Sequence, residues 1–86
     1  LSRGVVTTAE ISVRKIVEIA LSNNATSVII SHNHTSGIAL PSYEDEMTTL
    51  QIKAALEMVG IALADHIIVA GDDYVSLAES GLLETR

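Results

Sequence analysis

The sequence predicts one small α/β domain in which helices alternate with strands, and three observations carry that prediction. Apolar residues recur at helical spacing over residues 12–23 and again over 42–59. Short apolar runs at 26–30 and 66–70 have the length and β-branched content of strands, and the second leads through Gly71-Asp72-Asp73 into a further strand-like segment at 74–77. No repeat, linker or low-complexity segment interrupts the 86 residues, so the elements belong to one unit.

Taken in order, residues 1–8 hold Gly4 between short apolar pieces, and Val5-Val6 would form an edge strand or a loop. Ser12 reads as the N-cap of a helix whose Val13, Ile16, Val17, Ala20 and Leu21 share an apolar face while Arg14, Lys15 and Glu18 point outward. Asn23-Asn24 ends it. Residues 26–30 read as a strand apolar enough to be buried on both faces. Beyond the loop at 37–41, a second helix runs from Ser42 to about Val59, with Met47, Leu50, Ala54, Leu56 and Met58 expected on its apolar side and Gly60 in the stop position. The two methionines read as core filler. Residues 61–63 lead into the strand at 66–70, which turns at 71–73 into its hairpin partner.

Composition limits the functions open to the chain. Apolar residues make up 48% of it without any Phe or Trp, so aliphatic side chains build the core. The absence of cysteine excludes disulfides, thiolate metal ligands and a cysteine nucleophile. Eleven acidic against five basic residues give a net charge of -6, which disfavours direct nucleic-acid binding by this segment. No apolar run reaches membrane-spanning length and no secretory signal pattern opens the chain, so a cytoplasmic location is expected.

The chemistry concentrates in Ser31-His32-Asn33-His34-Thr35-Ser36-Gly37 and the following Pro41-Ser42-Tyr43-Glu44-Asp45. In extended chain, residues i and i+2 project from one face, which sets His32 and His34 side by side, about 7 Å apart at Cα. Two imidazoles so placed can share a metal ion, and Asp45 is the best third ligand because the loop can fold back to it. Two nitrogens, a carboxylate and an open position describe a catalytic zinc site. Ser42-x-x-Asp45 also reads as a helix-opening capping box. The two roles are compatible, because a carboxylate in the first helical turn is rigidly held and can still face the strand end.

The whole spacing, His32-x-His34, seven residues, Ser42, two residues and Asp45, resembles the metal signature of the JAB/MPN (JAMM) metalloprotease superfamily. Ser31-His32-Asn33-His34, Ser36-Gly37, Pro41-Ser42, Asp65-His66-Ile67-Ile68-Val69 and the segment from Ser76 to Leu83 together look like the bacterial RadC family, over nearly the whole chain. Thr35 stands where that family's loop usually has proline, which removes a restriction on φ but no ligand.

The resemblance implies a JAB/MPN (cytidine-deaminase-like) mixed sheet flanked by helices, truncated at its N-terminus so that the N-terminal strand is expected to be missing. It implies Zn2+ held by His32, His34 and Asp45, with Ser42 stabilising an oxyanion during hydrolysis of a peptide or isopeptide bond in a protein substrate. The superfamily's general-base glutamate falls a few residues before Leu1-Ser2-Arg3-Gly4, and Glu10 does not match its place. The RadC family is traditionally linked to DNA repair, and its members commonly carry an upstream helix-hairpin-helix segment. His66 is expected as a structural histidine, matching the family's second-strand pattern.

Two competing explanations for the histidines fail on composition or size. A zinc deaminase needs a Pro-Cys-x-x-Cys segment, and 86 residues cannot build the eight βα units of an amidohydrolase barrel. A catalytically inactive JAB-like protein-interaction module is the remaining alternative. An incomplete first strand would leave an unpaired sheet edge, so a homodimer is an expected partner state.

Overall fold

The computed structural model describes residues 3–8, 12–35 and 37–83. Its elements are β1 Arg3–Thr8, α1 Val13–Ser22, β2 Ser27–Asn33, α2 Tyr43–Met58, β3 Ala62–Ala70 and β4 Asp73–Ser76. They form one four-stranded mixed sheet in the order β1-β2-β3-β4, in which β1, β2 and β3 run parallel and β4 returns antiparallel. Residues 3–8, expected as an edge strand or a loop, are an edge strand.

Both helices are built as their sequences dictate. Ser12 caps α1 by accepting from the Lys15 N–H. Each helix ends in a Schellman motif. In α1, Asn24 takes φ 52° and Ala25 N–H bonds the Ala20 carbonyl. In α2, Gly60 takes φ 79° and Ile61 N–H bonds the Leu56 carbonyl. Leu56 and Ile61 are both buried, so the backbone turn is backed by an apolar contact position on each side of it.

The strands advance across the sheet in chain order, so crossovers of the usual right hand would put α1 and α2 on the same face, in keeping with their packing against each other. This decides which residues are covered. Val28 and Ile30 of β2 are buried beneath the helices, while Ser27, Ile29 and Ser31 are only half-buried. The expectation of a strand buried on both faces is therefore corrected: helices supply a layer on one side only.

A bulge sets the orientation of β3. Val28 pairs with Leu63 but Ile29 pairs with Asp65, so Ala64 is an extra residue. Because strand side chains alternate, that one residue changes the buried set from Leu63 to His66, Ile68 and Ala70. The strand also begins four residues earlier than the expected His66, because pairing with β2 recruits Ala62 onward.

The core joins Ile16 and Ala20 of α1, Ile52 and Leu56 of α2, Val28 and Ile30 of β2, and Ile68 of β3. Several expected core positions are outside it. Leu21 is exposed, Met47 is 41% exposed and Met58 is 88% exposed, so the methionines do not fill the core. The inward stripe of α2 joins the expected Leu56 to Thr49 and Ile52, and its polar first member hides the helical period from a reading of apolar residues.

After β4 the chain folds into turns that return Leu77 and Leu83 to the core. Asp65 fastens them: Oδ1 accepts from the N–H groups of His66 (2.7 Å) and Ala78 (2.9 Å), and Oδ2 accepts from the Ser76 hydroxyl at 2.5 Å. Among the described residues no helix is long and apolar enough to cross a membrane.

Candidate metal centre

β2 runs three residues past the expected Ile30, so His32 lies inside the strand, paired with Thr8 of β1 and Ile68 of β3. His34 follows the last strand residue, yet its N–H still bonds the Val69 carbonyl at 2.8 Å, which prolongs the extended geometry. The two imidazoles therefore emerge together, with ring centroids 5.0 Å apart in an edge-to-face arrangement. A crossover helix must start near the C-terminal end of the strand it follows, and that brings the first turn of α2 back to them.

Asp45 occupies that turn, where it caps the helix as expected and faces the two histidines. Its N–H donates to Ser42 Oγ at 3.0 Å, and its Oδ2 accepts from the Ser42 N–H at 2.8 Å, completing a capping box. The same carboxylate faces the histidines, with Oδ2 2.9 Å from His34 Nε2 and Oδ1 3.7 Å from His32 Nδ1. Burial pushes the Asp45 carboxyl upward, but hydrogen bonds from the Ser42 backbone and side chain, with the charge of His34 and His32, outweigh it. The net result lies below the ordinary value, so the group stays ionised.

Ligand atoms of His32, His34 and Asp45 all lie within 4.8 Å of one another, forming a group able to hold a metal ion among the described residues. The donor set fits a divalent metal. His34 Nδ1 donates to the Ile38 carbonyl at 3.1 Å, which leaves Nε2 as the nitrogen turned towards the centre. His32 Nδ1 is buried without a hydrogen-bond partner, since 3.7 Å to Asp45 is too long for one. An ion between them would satisfy it.

Ser42 stands at the helix entrance beside these candidate ligands. Its oxygen accepts from the Asp45 N–H, and its hydroxyl interacts with the Asp45 carboxylate as well. Glu10 lies outside the described residues.

Beneath the three candidate ligands is a buried polar pair that a reading for catalytic motifs passes over. His66, expected as a structural histidine, is 0% exposed, and its ring stacks on His32 at 5.9 Å with 25° between the planes. Its Nδ1 lies 2.6 Å from Thr49 Oγ1, and the Thr49 hydroxyl donates to the Asp45 carbonyl at 2.6 Å. Thr49 belongs to no motif in the sequence. The signal that could have found it is its place four residues after Asp45 and three before Ile52, on one helical face. Burial and the neighbouring His32 pull His66 down to about 4, against the opposing effect of Asp45 and Asp65, so its imidazole is neutral at pH 7.

Similarity to known proteins agrees with this geometry. A family model described as "RadC-like JAB domain" matches residues 1–82. The chain belongs to that family. This RadC-like domain is 49% identical over 84 residues to a UPF0758 protein of Dechloromonas aromatica, 48% over 80 residues to one of Pseudoalteromonas translucida, and 43% over 83 residues to one of Nitrosomonas eutropha. The alignments cover 96%, 93% and 96% of this chain respectively. The RadC-like domain spans only 36–37% of the length of these relatives.

Proposed function

We propose that this RadC-like domain is the metal-binding core of a zinc-dependent hydrolase acting on peptide or isopeptide bonds. The observation that carries the reading is the convergence of His32, His34 and an ionised Asp45 on one point, with a buried His32 nitrogen otherwise unpartnered. His32, His34 and Asp45 would hold the ion. The chemistry it supplies when bound is Lewis acidity towards a carbonyl oxygen and a lowering of the pKa of a held water to about 7. Zinc rather than a harder cation suits two imidazoles with a single carboxylate.

The protein's own groups have separable parts in this scheme. Asp45, rigid in its capping box, fixes the carboxylate without a rotamer search. Hydrogen bonding to Ile38 presets the tautomer of His34. Ser42 would turn its hydroxyl proton from the Asp45 carboxylate to negative charge developing on the carbonyl oxygen, a contribution worth about 3 kcal/mol in a preorganised site. The proton of the attacking water needs a base, and the superfamily's glutamate, expected just upstream of Leu1, would take it. Its absence would slow turnover about 10²- to 10⁴-fold without removing the metal. Peptide or protein chains are the proposed partners. The acidic surface favours these over direct contact with DNA, so any link to DNA repair would run through other segments of the relatives' longer chains.

The second reading, an interaction module that binds metal without turnover, is separated by experiment. Metal content measured on the wild type, His32→Ala and Asp45→Ala should show one zinc per chain that both substitutions remove. Amide hydrolysis should then appear, and vanish with a chelator, in a chain extended upstream to include the glutamate. Metal without hydrolysis would favour the interaction module, and a folded wild type without metal would sink the reading.

A further inference from the structure

The buried pair Thr49 and His66 accounts for something the three ligands alone do not, namely how a carboxylate on a helix is kept in register with imidazoles on a sheet. Asp45 is carried by α2, and His32 and His34 by β2. The capping box fixes Asp45 relative to α2 only. A shift of α2 along or around its axis would carry the whole box away from the histidines.

The hydrogen-bond directions at this point are determined. Thr49 has one hydroxyl proton, and a carbonyl oxygen can only accept, so the 2.6 Å contact to the Asp45 carbonyl uses that proton. The 2.6 Å contact between Thr49 Oγ1 and His66 Nδ1 must then be a donation from Nδ1–H to the hydroxyl oxygen. His66 is thereby the Nδ1-protonated tautomer, and its fully buried Nε2 is a bare acceptor with no hydrogen-bond partner. A leucine at position 66 would have filled the space without that unpaired nitrogen. The imidazole connects both halves of the centre: one nitrogen bonds the helix one turn below Asp45, and one ring face supports His32.

We propose that Thr49 and His66 are positioning residues, a buried clamp that holds the first turn of α2 against β3 and braces the His32 ring so that the three ligands meet. The inference rests on the metal reading above and goes beyond it in assigning a role to two residues that touch no ion.

Zinc affinity, by competition with a chromophoric chelator, and the visible spectrum of the cobalt(II) form test it on the wild type, Thr49→Val, Thr49→Ser, His66→Leu and the Thr49→Val/His66→Leu double variant. Thr49→Val keeps the shape but deletes the hydroxyl, and zinc affinity should fall about 10- to 100-fold, with an altered cobalt spectrum. Thr49→Ser restores the hydroxyl and should restore both. The double variant should bind no more weakly than its weaker parent, since either change breaks the same link. Imidazole nitrogen NMR of the metal-free wild type should find His66 protonated at Nδ1. The clamp is overturned by the opposite tautomer, or by Thr49→Val binding zinc like the wild type with an unchanged cobalt spectrum, even if its melting temperature drops. Should His66→Leu fail to fold, the valine and serine variants decide alone. A folded wild type that binds no zinc overturns the metal reading and the clamp together, whereas zinc binding indifferent to Thr49 overturns only the clamp.

Discussion

Asp45 caps a helix and, on the proposed function, would also ligate a metal, and the two roles can be pulled apart by paired substitutions. Ser42→Ala removes the oxygen that accepts from the Asp45 N–H, while leaving the carboxylate in place. An N-cap loss of this kind costs about 1 kcal/mol, or about 4–8 °C in melting temperature for a domain of this size. Asp45→Asn retains an oxygen able to accept from the Ser42 N–H but loses the negative charge beside His34 and at the helix N-terminus. Each of those two effects is worth up to about 1 kcal/mol, so the metal-free cost is similar, at about 1–2 kcal/mol. The distinction appears on adding zinc. At a hundredfold excess over Kd, binding to the folded state contributes about 2.7 kcal/mol, and by the same conversion raises the melting temperature by about 10–20 °C. Thermal unfolding in chelator and in zinc should therefore show the full rise in Ser42→Ala and none in Asp45→Asn. An undiminished rise in Asp45→Asn would refute the assignment of Asp45 as a ligand. Loss of the rise in Ser42→Ala would show instead that the carboxylate depends on its cap for alignment.

Three further outcomes follow from the buried polar groups and the helix end. His66 is held near 4 in the folded protein against an ordinary 6.5, so between those values the unfolded chain takes up a proton that the folded chain refuses. Metal-free stability should be intact above about pH 6.5 and decline towards pH 4, by roughly 3 kcal/mol from this group alone; denaturant melts of the wild type and His66→Leu across that range should differ in slope, and parallel slopes would contradict the assignment. Asp65→Ala leaves the Ala78 N–H and Ser76 hydroxyl without their shared acceptor, so hydrogen exchange should accelerate over residues 76–83 ahead of β2. Gly60→Ala meets no atom within 4 Å and suffers only its φ of +79°, so a loss of about 1 kcal/mol in chemical denaturation is expected, with zinc affinity unchanged.

The sequence by itself determined the local chemistry. Ser12 and Ser42 as caps, Asn24 and Gly60 as stops, the turn at Gly71 and the His-x-His pair are all set by interactions within a few residues, and each stands where its sequence context puts it. Asp45 could be matched to the histidines from the chain alone, because a crossover helix has to begin where the preceding strand ends. What the tertiary structure alone decided are relations between elements. Continuation of β2 through His32 depends on neighbours in β1 and β3. The exposure of Met47 and Met58, and the half-buried second face of β2, follow from the two helices packing together on one side of the sheet. The inward turn of His66 requires the bulge at Ala64, which exists only as a mismatch between two strands. Thr49 gains its meaning last, since a threonine on a helix is ordinary until a buried imidazole from another strand is set against its hydroxyl. Local hydrogen bonding is written in adjacent residues; register between a helix and a sheet is a property of the packed whole.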